Sequence, residues 1–363
     1  MEVERSFDLA VVGGGPAGAS AAITAARMGV SVGLFDLSDF PRQKVCGEFV
    51  SAESIELLRD LLSQHAQAEK LFLDAPIISS ARFFAGERFL ETPVDPPGLS
   101  IPRYTLDLTL WEAVRQAGVC AYKKCEVLSI AGRGPFNLVT AQGTISATAV
   151  ILCAGRWSRF SDAEVPPGPK WIGLKAHYRE LSPSRSTDLY FFNKGYCGVQ
   201  PVAADVVNVC AMVRSDVATT LPEALRLSPA LARRAAAWRP VMPPVSTAPL
   251  IYRKPQTIRD NLVLAGDAAG FIDPFAGDGI SLALRSGQAA ANCLRPCLLE
   301  NGSLGEALGS YEAFYEKRFA PLIAAASRAR RLFLLPESGR YLALQVLKLP
   351  GVLPYLIRKT RVG

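Results

Sequence analysis

Histidine is nearly absent from this chain: His65 and His177 are the only two among 363 residues. The eight cysteines, at 46, 120, 125, 153, 197, 210, 293 and 297, include no Cys-x-x-Cys pair. The spacings that make a zinc site are therefore missing, and no metal is expected. Long hydrophobic runs are missing as well: no stretch of roughly eighteen apolar residues is available to span a bilayer. There is no internal repeat and no low-complexity linker. Charged residues are sparse, at 20% against 49% hydrophobic, which excludes a disordered chain and predicts a compact one. The net charge of +7 is a mild excess for this length and does not gather into a basic stripe, which argues against nucleic acid. It suits a protein whose ligands carry phosphate. The opening MEVERSFD is charged and does not read as a secretory leader, so a reduced, cytoplasmic protein is expected. The length predicts two domains, or one with a large insertion.

The stretch FDLAVVGGGPAGASAAITAARMGVSVGLFD reads as strand, tight turn, helix and strand. Phe7–Val12 is a continuous apolar run, as in a strand buried on both faces. Gly13, Gly15 and Gly18 have the G-x-G-x-x-G spacing. The first allows the turn, the second lets a pyrophosphate approach the backbone, and the third lets helix and strand pack closely. Pro16 and Ala17 open the helix, whose N–H groups and dipole favour phosphate. Asp36, about 20 residues on at the end of the next strand, is placed to accept hydrogen bonds from a ribose. Together these predict a dinucleotide site.

Downstream, helices are expected over 52–70 and 106–118, and strands in CEVLSI and FNLVTAQGTISATAVILCAG. Further strands are expected in WIGLKAHYRE, DLYFFNKGYCGVQPV and VVNVCAMV. NLVLAGD then leads to the helix GISLALRSGQAAANCL, and the last sixty residues read as mostly helical. The Leu-rich, basic tail RRLFLLPESGRYLALQVLKLPGVLPYLIRKTRVG is broken by Pro336, Pro350 and Pro354. It reads as helical pieces closing an apolar pocket, with a peripheral membrane contact as the alternative.

NLVLAGDAAGFIDPFAGDGISLALRSG resembles the second FAD fingerprint of the glutathione-reductase-type flavoproteins, and IPRYTLDLTLWEAVRQAG resembles their Arg-x-x-Leu-Asp-x-x-Leu helix. The resemblance implies FAD as cofactor. It places Gly266 and Asp267 at the ribityl chain, and Pro274, Gly277, Gly279 and Ile280 under the flavin. Arg103 then lies by the flavin or pyrophosphate, and Val127 on the cofactor. A helix N-terminus under the flavin's pyrimidine edge would stabilise the charge of the reduced ring. The implied fold is α/β. It comprises a Rossmann-like FAD domain (1–75, 100–170 and 255–305), an inserted β-sheet substrate domain (76–99 and 171–254) and a helical C-terminal segment (306–363).

The whole chain is similar to the aromatic-hydroxylase-like branch, a group of flavin monooxygenases, halogenases and geranylgeranyl reductases. KVCGEFVS resembles the Lys-x-Cys-Gly-Glu stretch of the geranylgeranyl-reductase-like group, and GYCGVQPV their Gly-Tyr-Gly-Trp-x-Phe-Pro strand. Gly198 and Gln200 replace the Trp and Phe of that motif, which implies a roomier or differently shaped pocket. Ala154-Gly155 stands where relatives carry Asp-Gly, which alters the expected nicotinamide contact. The halogenase Trp-x-Trp-x-x-Ile-Pro signature is absent.

On this resemblance the loop 41–51 crosses the isoalloxazine, with Arg42, Lys44, Cys46 and Gly47 at the cofactor. Three readings of Cys46 stand: a thiol filling a turn, a thiol lining the substrate cavity by the flavin, and a covalent link to it. Asp278 either relays protons or caps the following helix. Tyr196 either points a phenol at substrate or packs with its hydroxyl satisfied, and His177 is either a base or a satisfied core histidine. Trp157 and Trp171 read as core, and Cys293 and Cys297 as helix packing.

The leading functional expectation is an NAD(P)H-coupled FAD monooxygenase acting on an apolar small molecule, with Cys46, Asp278 and Tyr196 as catalytic candidates. The alternatives are a C=C reductase of geranylgeranyl-reductase type, and a flavoprotein serving as a maturation or electron-transfer partner of another protein.

Overall fold

The computed structural model describes residues 5–161, 167–247 and 249–333, with 335, 339 and 345. The chain opens with β1 (Arg5–Val12), α1 (Pro16–Arg27), β2 (Val32–Phe35) and β3 (Phe49–Val50). Next come α2 (Ala52–Leu61), α3 (Ala68–Leu73), β4 (Ile77–Ala85), β5 (Arg88–Ser100) and α4 (Arg103–Gln116). Then follow β6 (Cys120–Tyr122), β7 (Val127–Gly132), β8 (Phe136–Thr140) and β9 (Gly143–Leu152). Next are β10 (Trp171–Arg179), β11 (Ser186–Phe192), β12 (Gly195–Ala203) and β13 (Val206–Arg214). After it come α5 (Leu221–Arg226), α6 (Pro229–Ala235), β14 (Arg239–Pro240), β15 (Val245–Ser246), β16 (Ile258–Arg259) and β17 (Leu262–Leu264). The described helices end with α7 (Gly279–Leu299), α8 (Leu304–Arg318) and α9 (Ala320–Phe333).

Two sheets result. The first runs β16-β17-β9-β1-β2-β6, with β7 and β8 branching from β9. Its β17, β9, β1, β2 and β6 are parallel. All four residues of β2 and the last four of β1 are buried, as a strand covered on both faces must be. Helix α7 packs hard on α1. A Cβ on Gly287 would sit 2.0 Å from the carbonyl oxygen of Ala17, and Ser20 Oγ donates to the Leu284 carbonyl at 2.7 Å. The second sheet runs β14-β10-β13-β12-β11-β4-β5-β3, antiparallel except where β4 and β11 pair.

Two expectations need correction. The helix read over 52–70 is two helices, α2 and α3, separated at 62–67. Arg27, from the end of α1, ends α2 by donating to the carbonyls of Asp60 (2.7 Å) and Leu61 (3.1 Å) and to Ser63 Oγ (3.0 Å). The helix read over 106–118 begins at Arg103, because the distant Glu48 carboxylate accepts its first amide at 2.8 Å. The region after β13 also carries α5 and α6, packed on the outer face of the second sheet through Leu221, Ala224, Leu225 and Leu231.

Among the described residues, no helix is long and apolar enough to cross a membrane. Pro336, Pro350 and Pro354, and with them most of the expected C-terminal cap, lie outside the described residues.

Candidate active site

Gly13, at φ +107°, passes directly under the end of β9, where a Cβ would lie 2.4 Å from the Cys153 carbonyl oxygen. Only glycine fits there. Gly18 is bound as tightly, its missing Cβ falling 1.8 Å from the Gly13 oxygen. Gly15 differs: the nearest atom to a Cβ there would be Arg42 Nη2 at 3.7 Å, so the turn opens outward at that residue. Behind it α1 starts at Pro16 with no side-chain cap, leaving its first amides to a ligand. Asp36 ends β2 as expected: Oδ2 accepts from the Gly14 amide at 2.6 Å, and Oδ1 from Ser38 N and Arg42 Nη1 at 2.7 Å each.

Arg42 continues through its Nε to Asp107 at 3.2 Å, and Asp107 holds Arg103 by two bonds of 2.7 and 3.0 Å. Asp107 is fully buried, so this carboxylate fixes two guanidiniums beside the glycine turn. Burial works against the Arg103 charge, but Asp107 and the Cys46 sulfur raise its pKa further. Lys44 is exposed nearby, its ammonium held below the usual lysine range by partial burial and by Arg42 and Arg103. An open glycine turn, an uncapped helix start and two anchored guanidiniums fit the pyrophosphate of FAD. Val127 is buried at the start of β7, two residues after Cys125, whose amide donates to the Asp36 carbonyl at 2.9 Å.

The second glycine segment meets the first. Gly266, at φ +62°, has Ala17 where its Cβ would go, at 2.9 Å. Asp267 pairs with Arg156 Nε at 3.5 Å, and Arg156 lies over the Phe271 ring at 3.9 Å. Asp273 accepts from the Phe275 amide at 3.1 Å and starts the short turn Pro274–Ala276. Gly277 follows at φ +75°, a left-handed position suited to glycine. Gly279 and Ile280 then open α7. Asp278 occupies the N-cap position, buried, yet makes no side-chain bond to the helix amides. The capping role read for it is therefore not what this geometry shows.

The KVCGEFVS loop lies between the two sheets. Cys46 is half-buried and its Sγ accepts from the Glu48 amide at 3.3 Å; Gly47 is exposed. Asn208 Nδ2 donates to the carbonyls of Cys46 (3.0 Å) and Gly47 (2.9 Å). Glu48 is fully buried between Lys175 Nζ and His177 Nε2, the latter at 2.8 Å. His177 is thus a satisfied, paired histidine. Burial alone would push the Glu48 carboxyl up, but His177 and Lys175 hold it below the ordinary carboxylate value.

Strand pairing sets Gly198 against Cys210 and Tyr196 against Met212, all on the inner face of the second sheet. Tyr196 is buried and its hydroxyl lies 3.4 Å from Asp273 Oδ1. Burial, joined by the Asp273 charge, raises the phenol well above its ordinary value. Around it stand Phe191, Phe275 and Phe83, with ring centroids 6.0 to 6.5 Å apart. The space expected from losing the Trp and Phe is shaped by this cluster instead, and Gln200 turns away to donate to Ser100 Oγ at 2.7 Å. Trp157, read as core, is 36% exposed because its Nε1 reaches out to the Pro249 carbonyl at 2.9 Å. Trp171 is partly buried against the aromatic cluster, and Cys293 and Cys297 pack against the first core.

The structure thus brings the glycines, Asp36, Arg42 and Arg103 together, with Cys46 against Arg103, and sets Tyr196 beside the loop that leads to Asp278. Sequence reasoning missed Glu48, Lys175, Asn208, Asp107 and Asp273. One signal was present: Lys175 and His177 alternate in an apolar strand, the spacing that puts two polar groups on one face.

A sequence profile described as FAD dependent oxidoreductase matches residues 46–292, and a second of the same description matches residues 8–52. The menaquinone reductase of Mycobacterium tuberculosis is 27% identical over 339 residues, covering 81% of this chain and 78% of that protein. Digeranylgeranylglycerophospholipid reductase 2 of Methanopyrus kandleri is 28% identical over 357 residues, covering 90% and 86%. A solved flavin-dependent brominase superposes with a TM-score of 0.82 at 19% identity, covering 98% of this chain and 93% of that one, a likeness of fold. With the profile spanning more than half its length, the chain belongs to the FAD-dependent oxidoreductases.

Proposed function

We propose that this oxidoreductase saturates a C=C bond in an apolar, unsaturated substrate held between the aromatic part of the second sheet and the loop 271–278. The observation that carries the reading is Tyr196, a buried phenol directed at Asp273 in otherwise aromatic surroundings. Saturating a C=C bond needs a hydride equivalent at one carbon and a proton at the other, and bound FAD, once reduced by a nicotinamide donor, would supply the hydride equivalent. Tyr196 keeps its proton in this setting and would give it up only to a strongly basic carbon, while Asp273 directs the hydroxyl. Phe83, Phe191, Met212 and Phe275 exclude water there. Cys46 would line the polar margin of the same site, and Asp278 would stand as a second buried carboxyl at the start of α7. Gly13, Gly15, Gly18, Asp36, Arg42, Arg103 and Asp267 would hold the cofactor. The reductase names of the two relatives support reduction over oxygenation, and NAD(P)H is the electron donor proposed.

The apolar aromatic face also suits a second reading, an NAD(P)H-coupled monooxygenase. One experiment separates them. The FAD-loaded protein is given NADH, NADPH or dithionite with prenylated quinones and polyprenyl phosphates, with and without oxygen. A product gaining two hydrogens without oxygen is expected, with roughly a hundredfold slower turnover for Tyr196→Phe and unchanged FAD affinity. A product gaining one oxygen atom, with matching oxygen uptake, would replace the reductase reading by the monooxygenase.

A further inference from the structure

Glu48 has every polar atom engaged. Its amide donates to Cys46 Sγ at 3.3 Å, and its carbonyl accepts from Ile101 N at 2.9 Å. Its Oε1 accepts from the Arg103 amide at 2.8 Å and from Lys175 Nζ, and its Oε2 pairs with His177 Nε2 at 2.8 Å. Its φ is +64°, a left-handed conformation that a side chain as long as Glu keeps only where the surroundings over-determine it.

The neighbouring backbone is gripped in the same way. Lys175 Nζ also donates to the Lys44 carbonyl at 3.2 Å, and Asn208 holds the carbonyls of Cys46 and Gly47. Lys175, His177 and Asn208 share one face of β10 and β13, where His177 pairs with Asn208 and Lys175 with Cys210. Residues 44–48 are therefore held by the second sheet on one side and by the start of α4 on the other. Both Glu48 carboxylate oxygens are occupied and out of water, so the group is not available as an acid or base.

What the grip holds in place is Cys46, whose sulfur neighbours Arg103 and Cys210. We propose that Glu48, clamped by Lys175 and His177, is the positioning residue that seats Cys46 between the two sheets and controls access to its thiol. The functional meaning of that thiol rests on the proposed active site, but the test needs no turnover, so the two readings fail separately.

The FAD-loaded protein is treated with limiting iodoacetamide, and the modification rate of each cysteine is followed by peptide mass spectrometry. Cys120, exposed, and Cys153 and Cys197, buried, serve as internal references. In Glu48→Gln, Cys46 is expected to react roughly tenfold faster, with Cys120 unchanged and Cys153 and Cys197 still protected, as local opening requires. His177→Gln should give a smaller rise in the same pattern. The double variant Glu48→Gln/Lys175→Met carries no unpaired buried charge and so guards against simple failure to fold. Cys46 should remain fast in it, because the residue-48 carboxylate and the Lys175 contacts to the loop are still missing. An unchanged Cys46 rate in the double variant, or a rise shared by Cys153 and Cys197, overturns the proposal.

Discussion

The inner face of the second sheet has two halves, made by neighbouring strands from opposite materials. Where β10 and β13 pass under the Cys46 loop, the inward residues are Lys175, His177 and Asn208, and the loop answers with Glu48 and two carbonyls. Where β12, β11 and β4 pass under the loop 271–278, the inward residues are Tyr196, Phe191 and Phe83, answered by Phe275. Gly198 and Cys210 stand at the seam. The polar half is held by a few directional contacts that must all be present, because a charge out of water without its partner is costly. The aromatic half is held by area and dispersion, to which each ring adds a share. One half can set a position; the other can accommodate a shape.

That contrast is sharpest in stability. Lys175→Met leaves the Glu48 carboxylate buried without its ammonium, and urea unfolding should show a loss of about 3–5 kcal/mol. Adding Glu48→Gln in the double variant should recover most of it. A single-variant loss near that of an ordinary surface change would mean that this half is not built on a buried ion pair. Phe275→Ala removes one ring from the aromatic half and should cost about 2 kcal/mol, less than the range for a fully buried phenylalanine because this ring is only partly covered. Thermal unfolding monitored with FAD bound would check it, and a loss as large as that of Lys175→Met would erase the distinction between the halves. At the seam the effect should be smallest. A Cβ at Gly198 would meet only Leu189 Cδ2 at 3.5 Å and the Cys210 oxygen at 3.7 Å, ordinary contacts. Gly198→Ala should therefore shift stability by less than about 1 kcal/mol, in the stabilising direction. Marked destabilisation would show that the seam is more closely packed than these distances allow.

The nucleotide half of the candidate site was readable because its determinants are local. The apolar run of β1, the glycine spacing after it and the acid at the end of β2 lie within about thirty residues, and one strand-turn-helix-strand unit sets their geometry. The 266–280 segment is another such unit, and there too the expected residues stand at the expected ends of elements. For Asp278 the sequence left relay and cap both open, since whether an N-cap side chain bonds its helix depends on what surrounds it; here it makes no such bond. The break after Leu61 escaped notice because the guanidinium that ends α2 belongs to α1.

Sequence alone determined the dinucleotide-binding unit and the buried parallel strands, through periodicity and short fixed spacings, and its resemblance to flavoproteins implied the residues where a flavin cofactor was to be sought. Tertiary structure alone decided the partners of Glu48, which lie 127 and 129 positions away in Lys175 and His177, and the meeting of Tyr196 with Asp273 across 77 positions. No spacing rule encodes such contacts, because they depend on how two sheets and the loops between them close on one another. Once closed, a buried charge or hydroxyl must find a partner within hydrogen-bond reach, and the fold determines which one it meets.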